Sequence, residues 1–355
     1  MTKVKKILII APSWVGDMMM AQSLMMAIKQ HNPEVLIDVL APSWTQALMA
    51  RMPEVNQAII SPFKHGELKL MARIKLGQKL KANQYDEAYI LPNSFKSALV
   101  PFFAGIAKRI GWCGEARFGL LNDMRFLDKQ TYPLMVQRFC ALAYPKGEAE
   151  AEALGKKIIH PKLRHSWDQI NKTLEQFGIS KAVLAKQKIM AICPGAEFGP
   201  SKRWPATHFS QLIDKLGKQG FTIWLLASEK DKEITEAILK HSEENCLDFT
   251  GKTSLDQVID LLSVVHGVVT NDSGLMHVAC ALEKPVVAIY GSTSTDFTPP
   301  LSVPEKLEVL QLALSCRPCF KRSCPFPLEN LAHHQCMKNI QPDQVMAAVE
   351  RLCVF

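Results

Sequence analysis

The sequence predicts an α/β protein built from two doubly wound domains in tandem, and three observations carry that prediction. Short apolar runs of strand length alternate with helix-forming stretches from Lys6 to Leu91, and the alternation restarts at Ile189. A polar, helix-prone segment without strand pattern, Glu148 to Lys186, separates the two series. The 355 residues exceed what one small core organises, and 48% hydrophobic with 21% charged residues is a globular balance. The expected divisions are residues 1–165, a helical linker 166–186, residues 187–340 and a terminal helix 341–355.

Lys6 to Ile10 is the apolar run of a buried parallel strand. It explains the basic start better than a signal peptide does, because Pro12 and Asp17 break the run. Asp17 to Lys29 has helical composition, and its five methionines read as adaptable core filling. Further strands are expected at Val35 to Leu40, Gln57 to Ile60 and Glu87 to Leu91, with a helix over Glu67 to Lys81. From Lys96 to Arg125 the character changes: Lys96, Lys108, Arg109, Arg117 and Arg125 are interleaved with Phe, Trp and Gly. That pattern suits either a solvated face around loops or a cradle for an acidic substrate. The second series runs through Ile189 to Cys193, Phe221 to Leu226, Cys246 to Phe249, Gly267 to Thr270 and Val286 to Tyr290. A last helix, Pro342 to Leu352, follows.

Composition narrows the function classes. No apolar run approaches the ~18 residues of a membrane span. Ten cysteines without an export signal imply a reducing compartment. A net charge of +8 suits a polyanion, whether nucleic acid, a membrane surface or a phosphorylated substrate. No nucleic-acid recognition motif accompanies it, so no nucleic-acid partner is expected.

Three turns follow strands, where open parallel sheets hold their ligands. In the first, Pro12-Ser13-Trp14-Val15-Gly16-Asp17, the aspartate begins a helix and faces the crevice. The second runs from Pro194 and Gly195 to Lys202, Arg203, Trp204 and Pro205, and its basic pair is a candidate for a diphosphate. It is not a Walker A sequence, and no GxGxxG occurs anywhere, which counts against an ordinary dinucleotide oxidoreductase. The third is Asn271-Asp272-Ser273-Gly274, with Asp272 or Ser273 as N-cap and His277 one turn in. A helix opening at Gly274 aims unpaired N–H groups and its positive end at a bound anion.

Together these stretches resemble the ADP-heptose:lipopolysaccharide heptosyltransferases of glycosyltransferase family 9, in particular those adding a second heptose. The likeness rests on PSWVGDMMM, PGAEFGPSKRWP and TNDSGLMHVACAL, supported by RMPEV, LPNSFKSALVPFFAGI, GLLND and DFTPPL. It implies a GT-B fold, two Rossmann-like doubly wound domains facing a central cleft, the first binding acceptor and the second nucleotide sugar. It implies inverting transfer of heptose from ADP-heptose to heptosyl-Kdo2-lipid A, by a cytoplasmic enzyme peripheral to the inner membrane of a Gram-negative bacterium. The alternatives are first-heptose transfer to Kdo2-lipid A and a nucleotide-sugar epimerase on the same fold.

Carried over by position, the resemblance makes Asp17 the general base and Lys202 the phosphate-binding lysine. It assigns Gly195, Asp272, Ser273, Gly274 and His277 to the nucleotide sugar, with Asp231 as the acidic ribose contact. Where sister enzymes carry hydroxyl residues before the lysine, this chain has Glu197 and Phe198. Arg51, Lys96, Arg109, Arg117 and Arg125 are the expected contacts to acceptor phosphates and carboxylates. No DxD pair is present, so no cofactor is expected and the charge of the departing ADP falls to Lys202 and the Gly274 helix start. The departure from the family pattern is Cys316, Cys319, Cys324 and Cys336, with His333 and His334 among them. This set is either a structural zinc site or a thiol-rich loop.

Overall fold

Ile7 to Ile10, the apolar core of the first predicted strand, are buried, as a strand covered by helices on both faces requires. The computed structural model describes residues 4–64, 66–147, 154 and 158–352. The chain divides into two units, Met1–Pro161 and Lys162–Phe355.

In the first unit, β1 (Lys6–Ile10), β2 (Leu36–Pro42), β3 (Val55–Ser61), β4 (Glu87–Ile90), β5 (Lys108–Trp112) and β6 (Asp123–Arg125) form one parallel sheet. Its order is β3-β2-β1-β4-β5-β6. The helices are α1 (Val15–His31), α2 (Gln46–Arg51), α3 (Leu70–Leu80), α4 (Leu99–Phe103) and α5 (Met135–Cys140). Met18, Met19, Met20 and Met25 of α1 are all buried, so the methionines do fill the core. Gly77 lets α3 approach α4 closely: a Cβ there would lie 2.7 Å from both Phe103 Cβ and the Val100 carbonyl oxygen.

The second unit opens with α6 (Trp167–Gln176) and α7 (Lys181–Lys186). Then β7 (Lys188–Cys193), β8 (Phe221–Leu225), β9 (Cys246–Asp248), β10 (Gly267–Asn271), β11 (Val286–Tyr290) and β12 (Leu307–Gln311) make a parallel sheet ordered β12-β11-β10-β7-β8-β9. Its remaining helices are α8 (Ala206–Lys218), α9 (Lys232–His241), α10 (Leu255–Val264), α11 (Gly274–Ala281), α12 (Gln335–Lys338) and α13 (Pro342–Leu352). The two sheets share one winding: three strands run outward from the middle, the chain crosses back, and three run the other way. Each therefore has a switch point, between β1 and β4 and between β7 and β10.

Some expectations are corrected. The segment from Lys96 to Arg125 contains α4, β5 and β6 rather than loops alone. β5 and β6 lie toward one edge of the sheet, are short and mix charged with apolar residues, so they lack a strand pattern. β12 was likewise not marked by the sequence. The expected linker belongs to the second unit, where Thr173 Oγ1 of α6 donates to Asp260 Oδ2 of α10 at 2.7 Å. Residues 148–153 and 155–157 of the expected connection lie outside the described residues. The terminal helix α13 joins the core of the second unit: Val345 and Val349 lie with Trp204, Phe209 and Ile289 in one buried cluster. Among the described residues, no helix is long and apolar enough to cross a membrane.

Candidate active site

The crevice at a switch point lies beyond the carboxyl ends of the strands, and two predicted turns meet at that of the second unit. The turn after β7 ends in a short 3-10 helix, Pro200–Lys202. It brings Lys202 Nζ to 2.6 Å from Asp272 Oδ2, on the turn after β10. Thr293 Oγ1 donates to the same carboxylate oxygen at 2.5 Å, so Asp272 is fixed from two directions. Asn271 ties the two turns together, donating from Nδ2 to the Pro194 carbonyl at 2.6 Å and accepting at Oδ1 from Trp204 N at 3.1 Å. Phe198 lies with its ring centroid 5.1 Å from Lys202 Nζ, a cation–π distance.

Ser273 is the N-cap of α11, settling the choice between Asp272 and Ser273, but its side chain makes no capping bond. Its hydroxyl lies 3.2 Å from Thr270 Oγ1 instead. The leading N–H groups of α11, from Gly274, thus share their end of the helix with the Lys202 ammonium. About half a positive charge from the helix dipole adds to that cation. His277, on the next turn, is 6% exposed, and its Nδ1 has no hydrogen-bond partner among the described residues. Burial lowers its pKa to about 4; Asp272 pulls the other way and Lys202 reinforces the shift. His277 is therefore a neutral imidazole at physiological pH.

A histidine depressed in the folded state is protonated more readily in the unfolded chain. Stability is therefore full above the ordinary histidine pKa of about 6.5 and declines as pH falls from there toward 4. His277 accounts for roughly 3 kcal/mol of that decline. Thermal unfolding at pH 7 and pH 4.5 checks this, with a smaller acid-induced drop in Tm expected for His277→Gln than for the unaltered chain. Equal drops would remove the account.

Gly195 and Asp231 meet in a different way from that expected of ligand contacts. The Asp231 carboxylate accepts from Ser228 Oγ at 2.6 Å and Arg203 Nη2 at 3.0 Å. It lies directly on the Gly195 α-carbon, where a Cβ would sit 2.6 Å from Oδ2. Asp231 is 5% exposed, so this geometry uses it to brace the turn, and Arg203 is engaged with it rather than held beside Lys202. Gly195→Ala should cost about 1–3 kcal/mol through overpacking and loosen the Lys202 turn. A lower Tm is the expected readout; an unchanged Tm would sink the packing argument.

In the first unit, Asp17 lies in the first turn of α1 after Trp14, the N-cap. It lines a cleft of about 570 Å³ at the carboxyl ends of β1 and β4, together with Ser13, Trp14, Trp44, Lys64, Asn93 and Lys96. Trp44 Nε1 donates to the Ser13 carbonyl at 2.9 Å, linking the loops after β1 and β2. Of the five expected acceptor cations, only Lys96 lines this cleft. Arg117 is fully buried and donates to the carbonyls of Pro92 and Trp112. Arg125 donates to those of Ala141 and Tyr144, and Arg109 to those of Leu120 and Ile106. Arg51 is buried in α2. A guanidinium with five donors suits such stapling of loop carbonyls, which corrects the reading of Arg109, Arg117 and Arg125 as substrate contacts.

The family model for glycosyltransferase family 9 (heptosyltransferase) matches residues 73–329. The chain is also 46% identical over 352 residues to lipopolysaccharide heptosyltransferase 2 of Escherichia coli (strain K12), covering 98% of each chain. The chain belongs to glycosyltransferase family 9. A second family 9 relative, lipooligosaccharide heptosyltransferase 2 of Haemophilus ducreyi, is 48% identical over 84% of this chain and 86% of its own. The solved structure of E. coli ADP-heptose lps heptosyltransferase II matches with a TM-score of 0.85 at 44% identity, covering 98% of both chains. The pair of six-stranded parallel sheets is accordingly the GT-B architecture of family 9 glycosyltransferases.

The cysteine-rich loop of this family 9 chain braces the Lys202 turn. Ser201 N donates to the Arg322 carbonyl at 3.1 Å, and His334 Nε2 lies 3.2 Å from the Ser201 carbonyl. Arg317 Nη2 donates to the Thr293 carbonyl at 2.9 Å, and Thr293 in turn holds Asp272. Gly199 has φ 156°, and a Cβ there would meet the Arg322 carbonyl oxygen at 2.5 Å, so the close approach of the two loops requires glycine. Cys316, Cys319, Cys324 and Cys336 line one small cavity of about 20 Å³ with His334. Among the described residues, however, no group of three or more His, Cys, Asp or Glu is arranged to hold a metal ion. The loop buttresses the site, and burial pushes the Cys336 thiol up to about 11.

Sequence reasoning missed Asn271 as the tie between turns, Thr293 as the second partner of Asp272, and the cleft tryptophans. Asn271 was legible only as a turn residue, because a turn asparagine's long-range partners are not encoded in its neighbours.

Proposed function

We propose that this glycosyltransferase moves L-glycero-D-manno-heptose from ADP-heptose onto the first heptose of heptosyl-Kdo2-lipid A, with inversion at C1. The observation that carries the reading is the Lys202–Asp272 pair at 2.6 Å beside the N-terminus of α11. It gathers a cation, a helix dipole and a neutral imidazole where a diphosphate leaving group develops charge. Asp17 takes the acceptor proton as the hydroxyl attacks C1 and the bond to ADP breaks. Lys96 and Lys64 in the cleft of the first unit meet the acidic groups of the acceptor, and Trp14 and Trp44 offer faces to its sugar rings. The names of the relatives, which add heptose to lipopolysaccharide or lipooligosaccharide, support this donor and acceptor class. The acceptor is lipid-anchored, so the enzyme works at the inner membrane surface. No metal is assigned a role.

The test is ADP release and acceptor mass gain when the protein meets ADP-heptose with heptosyl-Kdo2-lipid A. A gain of one heptose supports the reading. A gain on Kdo2-lipid A alone makes it a first-heptose enzyme, and turnover of nucleotide sugar without acceptor points to epimerisation.

A further inference from the structure

We propose that the loop from Gly66 into the first turns of α3 is a membrane-docking element that seats the cleft of the first unit on an anionic lipid surface. The proposal deepens the reading of a lipid-anchored acceptor and rests on it only for the purpose of docking.

Leu68, Leu70 and Met71 are 48%, 43% and 65% exposed, an unusual run of large apolar side chains turned to solvent. The loop that presents them is built rather than slack. Arg73, itself 7% exposed, donates to the carbonyls of Leu68 at 2.6 Å, Glu67 at 3.1 Å and Lys96 at 3.2 Å, and its guanidinium carbon lies 4.0 Å from the centre of the Phe63 ring. Lys69 is held at φ 42°, a left-handed conformation unfavourable for a side chain of its size, between the two exposed leucines.

The charge around this tip selects the partner. Between Pro62 and Asn83 the chain has six Lys or Arg and a single acidic residue, Glu67. Glu67 is already engaged, accepting from Lys64 N at 2.9 Å and pairing with Lys69 Nζ at 2.9 Å. Exposed Lys75 and Lys79 follow Met71 at four-residue spacing on α3, so apolar and cationic groups share one face. An apolar tip ringed by lysines fits the boundary between acyl chains and anionic headgroups. The same loop and α3 contribute Gly66 and Arg73 to the cleft containing Asp17, which Lys64 also lines. Docking through it brings the cleft mouth to the surface where a lipid-anchored sugar emerges.

The experiment is co-sedimentation of the full chain with acceptor-free vesicles of phosphatidylethanolamine, with and without phosphatidylglycerol. The expected result is binding to the anionic vesicles, weakened at high salt, and reduced about tenfold or more in Leu68→Ser/Leu70→Ser/Met71→Ser. A second variant, Lys75→Glu/Lys79→Glu, keeps the apolar tip and should lose only the preference for anionic lipid. Turnover of acceptor stripped of its acyl chains should be unchanged in both variants, while turnover of vesicle-embedded acceptor falls. Wild-type protein left in the supernatant, or variants that bind as wild type, would overturn the proposal. So would a free protein whose sedimentation shifts from dimer to monomer in the triple variant, since the tip would then be covered by a second copy. Vesicle binding without heptose transfer would instead remove the transfer reading and leave docking in place.

Discussion

Lys202→Met is expected to lower kcat/KM for donor by about 10²–10³-fold, the loss typical when one preorganised charge-stabilising group is removed from a transition state. The ammonium is paired at 2.6 Å with Asp272, two residues before the start of α11, and the helix dipole alone supplies only about half a charge. The substitution has a second consequence. The Asp272 side chain is 4% exposed, and without Lys202 it keeps Thr293 Oγ1 as its side-chain partner while losing its counter-charge. Removing one member of a buried pair costs about 3–5 kcal/mol; the 13% exposure of Lys202 moderates that here. The double variant Lys202→Met/Asp272→Asn separates the two effects. It should recover most of the lost Tm and none of the lost rate. Single-variant activity within tenfold of wild type would remove Lys202 from the chemistry.

The strands lining both switch points were legible because they are central: with both faces covered, β1, β4, β7 and β10 are nearly continuous apolar runs, and the turns after them stand out as breaks. The outer strands were not. Lys108–Trp112 and Asp123–Arg125 lie toward one edge of their sheet, where charged residues serve the fold and erase the pattern. The site divided along the same line. Lys202, Asp272, Gly274 and His277 were marked by their places in two turns, and the fold brings them together. Arg117 and Arg125 were marked by charge alone, and charge has no direction in a sequence. Only the folded chain shows that their guanidinium groups turn inward to backbone carbonyls while Lys64 and Lys96 reach the cleft. The cysteines illustrate the same limit: Cys-x2-Cys spacing matches a metal site, but ligand geometry depends on where Cys324 and Cys336 return, which spacing does not encode.

Asp17→Asn should lower kcat by about 10²–10⁴-fold, the range for loss of a positioned general base, while leaving ADP affinity within a factor of about two. The separation follows from location. Asp17 stands in the first turn of α1 in the first unit, whereas every residue proposed for the diphosphate belongs to the second. The amide keeps the shape of the side chain and one acceptor oxygen but takes up no proton, so it tests the base rather than the packing of α1. That control matters, because α1 buries Met18, Met19 and Met20 immediately after Asp17, and a change that disturbed the helix start would lower Tm as well. Pre-steady-state measurement of ADP formation with acceptor present distinguishes the outcomes. A slow first turnover with unchanged Tm and ADP binding assigns proton removal to Asp17. An unimpaired first turnover with slow later cycles would place Asp17 in product release and send the search for the base to Glu115, a second carboxylate among the described residues lining the same cleft.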